Sequence, residues 1–199
     1  MFSAADLFDL DQTEHAALFE GCTHAWEVLP RLKDYLKDRI RPGLRNRCDG
    51  VAWIGEQVVI GEGTVVEDGV MIKGPAIIGR GCQIRHNAYI REQVIVGDNC
   101  VVGNACELKH SVLFNRAQVP HFNYVGDSIL GYRAHLGAGV KISNVKLSSG
   151  TVQVEGEAGR IDTGLRKFGA LIGDGCDVGC TAVLNPGSVL GRGSFIYPT

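Results

Sequence analysis

Residues 51–108 read VAWIGEQVVIGEGTVVEDGVMIKGPAIIGRGCQIRHNAYIREQVIVGDNCVVGNACEL, and this stretch repeats a six-residue pattern without interruption. The residue two positions before each repeat position is small or branched, and glycine often follows the repeat position. A short fixed period of this kind is the signature of a solenoid. Every sixth residue is a branched aliphatic: Ile54, Ile60, Val66, Ile72, Ile78, Ile84, Ile90, Val96, Val102 and Leu108.

The six-residue period defines the geometry of this solenoid. Two inward positions separated by two residues form the inner side of a short strand, and the following glycine permits a sharp corner. Three such strands close a triangular coil of about 18 residues, and coils stack roughly 4.8 Å apart through main-chain hydrogen bonds. The sequence therefore predicts an all-β solenoid, a single-stranded left-handed parallel β-helix, with a short N-terminal helical segment.

Residues 1–48 do not follow the period and are predicted to form a helical cap, with the β-helix occupying residues 49–199. Apolar residues recur at helical spacing over 29–40, Pro30 suits a first helical turn, and Pro42-Gly43 is expected to end the helix. The expected role of this cap is to cover the first open coil, because an exposed parallel edge invites aggregation.

The period is disturbed after Leu108, and function is expected where the pattern breaks. Residues 143–168 leave the period and are predicted to form an inserted hairpin loop, with strands at 144–147 and 151–154 around Ser148-Ser149-Gly150. Before that insertion, the inward series is predicted to continue with two five-residue steps: Phe114, Val119, Val125, Leu130, Leu136 and Ile142.

Composition narrows the functional classes. The formal net charge is −2, from 20 basic and 22 acidic residues, so no nucleic-acid or membrane partner is expected. No apolar run approaches the length of a membrane span, and the N-terminus lacks the features of a secretion signal, so we expect a cytoplasmic protein. Seven cysteines occur without a C-x-x-C pair, and four take inward positions, which favours neither a disulfide framework nor a metal site.

A column of basic residues is predicted at one corner of the coil. Lys73, Arg91 and Lys109 are 18 residues apart and should stack about 4.8 Å from one another. Like charges in a column are costly unless carboxylates or an anionic ligand neutralise them. The spacing is compatible both with a solvated stripe balanced by nearby acids and with a site for a phosphate-bearing substrate.

A second corner is predicted to bring His121 beside Gly137-Ala138-Gly139 of the next coil. A neutral imidazole can take the proton from an attacking amine, and a backbone N–H can hold the oxyanion that develops on a thioester carbonyl. The two corners of one chain should lie roughly 15–20 Å apart, so a site that uses both would be completed between chains. We therefore expect a homotrimer with sites at its interfaces.

Four segments carry a resemblance to a known family. They are Arg91-Glu-Gln, Gly103-Asn-Ala-Cys-Glu-Leu-Lys109, Val119-Pro-His-Phe-Asn-Tyr-Val-Gly-Asp127 and Gly137-Ala-Gly139. These segments resemble the acetyltransferase domain of bifunctional N-acetylglucosamine-1-phosphate uridyltransferases. Residues 161–173 look more like the archaeal sugar-phosphate nucleotidyltransferase/acetyltransferase branch of that family.

The resemblance implies transfer of an acetyl group from acetyl-CoA, as co-substrate, to the amine of glucosamine 1-phosphate, with no metal required. By position, His121 would be the general base. Arg91 and Lys109 would hold the sugar phosphate, and Glu107 would orient His121 or a neighbour. The family's nucleotidyltransferase domain has no counterpart in this sequence, so no pyrophosphorylase activity and no Mg²⁺ requirement are expected.

Further site residues follow from the same resemblance. Tyr124 and Asn144 would contact the substrate, as would His135, which stands where the family has Asn. The residue after Asn144 departs from the family pattern, and the family tail that adds CoA contacts is expected beyond Thr199. The CoA arm would meet the chain at three positions: Gly137, Ala138 and Cys180.

Other functions are open from the sequence. A carbonic-anhydrase-like enzyme of this fold would bind zinc between chains through three His. A non-catalytic trimeric β-helix would bind a sugar nucleotide, and a third alternative keeps acyl transfer but changes the amino sugar or the acyl length. The imidazoles available to a zinc site are those of His86, His110, His121 and His135.

Overall fold

A three-sided parallel β-helix forms the body of the molecule. The computed structural model describes residues 2–40 and 51–199, so the predicted boundary at residue 48 and the predicted helix stop at Pro42-Gly43 lie outside the described residues. Seven strands stack on each of three faces and pair in parallel with strands of neighbouring coils. The prediction of a left-handed parallel β-helix with an N-terminal helical segment is confirmed.

The strands are numbered in chain order, and the corners are named I/II, II/III and III/I after the faces they join. Face I holds β1 (Trp53–Ile54), β4 (Met71–Ile72), β7 (Tyr89–Ile90), β10 (Glu107–Lys109), β13 (Tyr124–Gly126), β16 (Lys141–Ile142) and β21 (Val183–Leu184). Face II holds β2 (Val58–Ile60), β5 (Ala76–Ile78), β8 (Val94–Val96), β11 (Ser111–Leu113), β14 (Ile129–Leu130), β19 (Ala170–Ile172) and β22 (Ser188–Leu190). Face III holds β3 (Val65–Val66), β6 (Gln83–Ile84), β9 (Val101–Asn104), β12 (Gln118–His121), β15 (His135–Leu136), β20 (Asp177–Val178) and β23 (Phe195–Ile196).

The side chains at the repeat positions face the interior of the prism, as predicted. The periodic aliphatics from Ile60 to Leu108 are at most 2% exposed, whereas Ile54 in the first coil is 37% exposed. Inward cysteines such as Cys82 and Cys100 are buried free thiols in the same core. Burying one branched side chain stabilises a fold by about 1.5–3 kcal/mol, so the repeat itself supplies the core.

One predicted inward residue is wrong, because Leu113 and not Phe114 enters the prism. Leu113 pairs with Leu130 of the next coil and belongs to the inner core. Phe114 packs outside face II, where its ring centroid lies 5.1 Å from that of Phe8. The first five-residue step therefore runs from Leu108 to Leu113, and not from Phe114 to Val119 as predicted.

Every departure from the period between residues 108 and 172 occurs at corner I/II. The steps from Leu108 to Leu113 and from Val125 to Leu130 cross this corner with five residues. In the next coil, the insertion of residues 143–168 leaves from the same corner. The breaks in the pattern thus stack on one edge of the prism.

The insertion contains a hairpin whose strands lie further along the chain than predicted. Strand β17 (Gln153–Gly156) pairs antiparallel with β18 (Gly159–Asp162), whereas Ser148-Ser149-Gly150 precedes both strands. Val152 and Val154 are buried in the cluster that covers face II. We attribute the position of the first strand to the burial of these two valines, which the turn residues used for the prediction do not indicate.

The described part of the N-terminal segment, residues 2–40, covers face II, whereas the sequence analysis expected a cover for the first open coil. Trp26 and Leu29 are buried against the outward side chains of Ile95 and Ile129 on face II, while Trp53 in the first coil is exposed. Face II is apolar on both sides, and such strands need a cover. The segment consists of α1 (Ala4–Leu7), α2 (Val28–Arg39) and three 3-10 turns (Leu10–Gln12, Ala16–Phe19 and Ala25–Glu27).

His15 makes the stability of the folded chain sensitive to acid. Burial lowers the pKa of His15 from 6.5 to about 4, and the charge of Arg39 acts in the same direction. The unfolded chain takes up this proton near pH 6.5, and the folded chain only near pH 4. Stability is therefore full above about pH 6.5 and falls by at most ~3 kcal/mol as the pH drops to about 4.

We expect His15→Gln to flatten this acid dependence, because the amide keeps a polar group for the Tyr35 hydroxyl, 3.1 Å from the His15 Nδ1 in the native chain. Denaturant unfolding, followed by Trp fluorescence near neutral pH and at about pH 5, measures the difference. An unchanged acid dependence in the variant would show that His15 does not control it.

Candidate active site

Corner III/I stacks the predicted catalytic residue beneath the predicted thioester-binding backbone. The Phe122 N–H donates to Asn104 O at 3.0 Å, and the Gly139 N–H donates to His121 O at 2.9 Å. The Thr181 N–H donates to Ala138 O at 2.8 Å. These bonds place four residues one above another, one per coil: Asn104, His121, Ala138 and Cys180.

The His121 imidazole is available for chemistry. Its side chain is exposed, and within the described ranges no residue forms a hydrogen bond with the ring. The backbone beside it is fixed, because the buried Asn123 accepts from His121 N at 3.0 Å and donates to Gly137 O at 2.7 Å. Asn123 therefore locks His121 to the coil above, a role that sequence reasoning missed.

The Ala138 amide is also available. Across residues 2–40 and 51–199 this N–H donates no hydrogen bond, while the neighbouring Gly137 and Gly139 amides donate to Val178 O and His121 O. A free, fixed amide one coil above an exposed imidazole can polarise a carbonyl oxygen while the imidazole takes a proton.

The basic column forms at corner I/II as predicted, and carboxylates balance it. The Lys73 N–H donates to Ile90 O, and the Arg91 N–H to Leu108 O, which stacks the three cations one coil apart. The ion pairs join Lys73 to Glu92 at 3.7 Å, Arg91 to Glu107 at 3.0 Å and to Glu92 at 3.6 Å, and Lys109 to Asp127 at 3.4 Å.

One donor of this column remains free. Among the described side chains, Nε of Arg91 is the one fully buried polar atom that lacks a hydrogen-bond partner. Its carboxylate neighbour Glu92 lies 3.6 Å away, too far for a hydrogen bond. Glu107 is committed to Arg91 and lies on face I, so it does not orient His121.

Asp127 is the centre of a buried polar network at the same corner. Its side chain is 2% exposed and accepts from Lys109 Nζ at 3.4 Å, from His110 Nδ1 at 2.6 Å and from Asn144 Nδ2. Burial acts to raise the pKa of Asp127. The hydrogen bonds from His110 and Asn144 and the charge of Lys109 outweigh it and hold that pKa below its ordinary value.

His110 ties this network to the N-terminal segment. Its Nε2 lies 2.6 Å from Leu29 O, and its Nδ1 faces the Asp127 carboxylate. Each ring nitrogen therefore faces an oxygen acceptor, one at corner I/II and one on α2. Sequence reasoning assigned His110 only to a zinc alternative. The five-residue steps from Leu108 to Leu113 and from Val125 to Leu130 contain His110 and Asp127, but the first step was predicted between Phe114 and Val119, so this signal was missed.

Tyr124 and Asn144, two predicted substrate contacts, meet on face I. The Tyr124 hydroxyl bonds to the Asn144 amide, which also reaches Asp127. Burial raises the pKa of Tyr124, and the charges of Glu107 and Asp127 act in the same direction. The phenol therefore stays protonated and can serve as a neutral donor to a substrate.

The predicted site residues thus form two groups in one chain. His121 and the CoA-binding positions lie at corner III/I, and Arg91 and Lys109 lie at corner I/II, about 16 Å away across five residues of face I. His135 lies on face III, where its Nδ1 is 3.1 Å from Asp177 Oδ1.

Comparison with known proteins places this architecture in a family. A family model described as the GMPPB C-terminal domain matches residues 72–163. The uncharacterized acetyltransferase YaiX of Escherichia coli is 31% identical over 202 residues, which cover 96% of this chain and 87% of that protein. The chain belongs to the hexapeptide-repeat acetyltransferases.

Bifunctional enzymes are also relatives of this acetyltransferase-family chain. The sugar-1-phosphate nucleotidylyltransferase/acetyltransferase of Sulfurisphaera tokodaii is 37% identical over 92 residues, 46% of this chain and 23% of that protein. GlmU of Methanocaldococcus jannaschii is 32% identical over 171 residues, 86% of this chain and 41% of that protein. The chain therefore spans less than half the length of these bifunctional relatives.

The four imidazoles of the zinc alternative are dispersed in this acetyltransferase-family chain. His86 and His121 lie at corner III/I two coils apart, His110 at corner I/II, and His135 on face III. Within residues 2–40 and 51–199, no three His, Cys, Asp or Glu side chains are grouped closely enough to hold a metal ion. No helix in these ranges has the length and apolarity that a bilayer crossing requires.

Proposed function

We propose that this chain transfers an acetyl group from acetyl-CoA to the amine of an amino-sugar phosphate. The observation that carries the proposal is the exposed His121 imidazole one coil below the free Ala138 amide. The amine attacks the thioester carbonyl, His121 takes the amine proton, and the Ala138 N–H stabilises the oxyanion. Collapse breaks the C–S bond, and the leaving thiolate receives the proton.

The phosphate of the acceptor is assigned to corner I/II. The Arg91 guanidinium, on a side chain that is 32% exposed, and the Lys109 ammonium supply charge-assisted donors. The Arg91 Nε is buried without a partner, so it would serve only after the side chain moves toward the ligand. Tyr124 and Asn144 supply neutral polar groups for the sugar. The carboxylates that balance the column compete with a phosphate, so binding requires Arg91 to exchange part of its contact with Glu107 for the ligand.

A homotrimer would unite the two corners. The N-terminal segment occupies face II, which leaves faces I and III for neighbours, and the corner between them is rich in exposed apolar side chains, a mark of interaction surfaces. Light scattering at assay concentration measures the assembly, and a monomer would contradict this arrangement. These side chains are Phe122, Val183, Phe195 and Tyr197.

The decisive experiment for the proposed function is acetyl-CoA turnover, followed by free-thiol detection, against a panel of acceptors. The panel pairs each amino-sugar phosphate with its dephosphorylated amino sugar and with a nucleotide-linked amino sugar. We expect turnover with a phosphorylated acceptor. Binding of a sugar nucleotide without turnover of any amine would favour the non-catalytic module, and stoichiometric zinc in the purified protein would favour the carbonic-anhydrase-like enzyme.

We expect Arg91→Ala to raise the KM for the phosphorylated acceptor about 10–100-fold with little change in the KM for acetyl-CoA. Loss of one charge-assisted hydrogen bond costs about 1.5–3 kcal/mol. Initial rates at varied acceptor concentration measure the change. The matched control is Arg85→Ala, because Arg85 is a half-buried arginine at corner III/I whose guanidinium donates to Gln83 Oε1. An unchanged KM for the acceptor in Arg91→Ala would show that the phosphate does not bind at this corner.

A further inference from the structure

The two carboxylate oxygens of the buried Asp127 have separate sets of donors. Oδ2 accepts from Lys109 Nζ at 3.4 Å and from Asn144 Nδ2, whereas Oδ1 accepts from the ring of His110, whose Nδ1 lies 2.6 Å away. Among the described residues, no other group donates to Oδ1. Rotation of an Asp carboxylate about χ2 is soft and roughly two-fold, so the bond to His110 selects the rotation that presents Oδ2 to its own two donors.

The imidazole of His110 is held at both of its nitrogens. Its Nε2 lies 2.6 Å from Leu29 O on α2, on the side of the ring away from Asp127. The His110 side chain is 21% exposed, so little room is left for the ring to turn. A ring with polar contacts at both ends has a fixed orientation, and it passes this orientation on to the carboxylate beside it.

The backbone of corner I/II is fixed by groups other than this imidazole. The buried Ser111 hydroxyl donates to Lys109 O at 2.8 Å and accepts from Ser128 N at 3.2 Å. The buried Ser128 hydroxyl donates to Gly126 O at 2.7 Å and accepts from Ala170 N at 3.0 Å. Loss of the imidazole should therefore disturb the polar side chains of the corner and leave the path of the chain unchanged.

The side chains that Asp127 orients are those to which the acceptor is assigned. A carboxylate only accepts, so the Asn144 amide turns its Nδ2 toward Asp127, and this amide also bonds to the Tyr124 hydroxyl. The Asn144 Oδ1 accepts no hydrogen bond from a described residue and is left to accept from a hydroxyl of the sugar. The ammonium of Lys109, on a side chain that is 20% exposed, is held beside it by the same carboxylate oxygen.

We propose that His110 is a positioning residue of the acceptor site, because its bond to Asp127 fixes the carboxylate on which the two acceptor-binding side chains depend. These side chains are Lys109 for the phosphate and Asn144 for the sugar. The inference rests on the proposed function, which assigns the acceptor to corner I/II. His110 itself does not touch the acceptor and acts only through Asp127.

Two conservative variants separate the two contacts of the ring. The amide nitrogen of Asn takes the place of the imidazole Nδ1, and that of Gln takes the place of Nε2. His110→Asn therefore keeps a donor for Asp127, and His110→Gln keeps a donor for Leu29 O. We expect the KM for the phosphorylated acceptor to rise about tenfold in His110→Gln, the equivalent of one weakened hydrogen bond, and to stay close to the wild-type value in His110→Asn. In both variants the KM for acetyl-CoA and kcat should change little, because His121 and Ala138 lie at the other corner.

His24→Gln is the matched control, because His24 also contacts a carboxylate, that of Glu27 at 3.2 Å, outside this network. Its acceptor KM should equal that of the wild type. Denaturant unfolding of all three variants measures any loss of stability separately from the loss of acceptor binding. Equal acceptor KM values in His110→Asn and His110→Gln, or a parallel rise in the KM for acetyl-CoA, would overturn the proposal.

Calorimetric titration with the amino-sugar phosphates of the acceptor panel, without acetyl-CoA, separates this proposal from the proposed function. If the wild type binds one of them, His110→Gln binds it about tenfold more weakly than His110→Asn, and no amine is acetylated, the positioning role stands and the proposed function fails. If an amino-sugar phosphate is acetylated while His110→Gln keeps the wild-type acceptor KM, the function stands and the positioning role fails. Absence of binding of any amino-sugar phosphate to the wild type would defeat both.

Discussion

Replacement of His121 by Ala is expected to lower kcat by a factor of about 10²–10⁴, the usual contribution of a positioned general base, with a near-normal KM for acetyl-CoA. The exposed ring makes no hydrogen bond to a described residue, so its removal should leave the fold intact. The amine proton then has no acceptor, while the Ala138 amide still holds the thioester. Steady-state rates with both substrates varied, and a thermal unfolding curve, measure the two effects.

His86→Ala provides the matched control for this result. His86 occupies the same corner two coils below, with its Nδ1 2.7 Å from Asp68 O, and it does not face the Ala138 amide. We expect its kcat to stay close to that of the wild type. Full activity in His121→Ala would show that another group accepts the proton, and equal losses in both variants would indicate damage to the corner instead of chemistry.

The second large effect is expected for Asp127→Ala, which should lower the free energy of unfolding by about 3–5 kcal/mol. Breaking a buried ion pair leaves the remaining charge uncompensated, and here Lys109, His110 and Asn144 all lose their shared acceptor. Denaturant unfolding measures the loss. Glu155→Ala is the control, because the Glu155–Arg160 pair is 2.7 Å long but mostly exposed, and such pairs contribute about 0–1 kcal/mol.

The same network predicts the direction of a pH effect. Because the folded pKa of Asp127 lies below its ordinary value of 3.8, its contribution to stability is fully present above that value and is lost as the pH falls through the folded pKa. Asp127→Asn should remove this acid-side loss. A destabilisation in Asp127→Ala no larger than that of Glu155→Ala would show that the network does not hold the corner.

The fold was predictable because the period is local and uninterrupted. From Ile60 to Leu108, each aliphatic two residues after a small partner has only one way to face inward, so composition at those positions fixes the coil. The prediction failed at Phe114, where Leu113 and Phe114 are both apolar and both buried. One fills the prism and the other fills the layer between face II and the N-terminal segment, and periodicity alone does not separate two buried environments.

The candidate site was predictable where it depends on register. His121, Ala138 and Cys180 share a corner because the chain makes one full coil between each residue and the next, and the second of these coils also contains the insertion. The same rule stacks Lys73, Arg91 and Lys109. The carboxylates that balance the cations were foreseen only as one of two possibilities. Their identity depends on side-chain rotamers, which spacing does not encode.

The sequence by itself determined the coil, nearly all of its inward residues and the residues that share the two corners to which we assign the chemistry, since each follows from contacts between residues one coil apart. Only the tertiary structure decided that the N-terminal segment covers face II and that His110 joins Leu29 O to the buried Asp127. His110 and Leu29 are 81 residues apart in the chain, and their contact depends on how an apolar helix finds a surface to bury. No repeating pattern records such a choice, because the free energy of that burial belongs to both surfaces together.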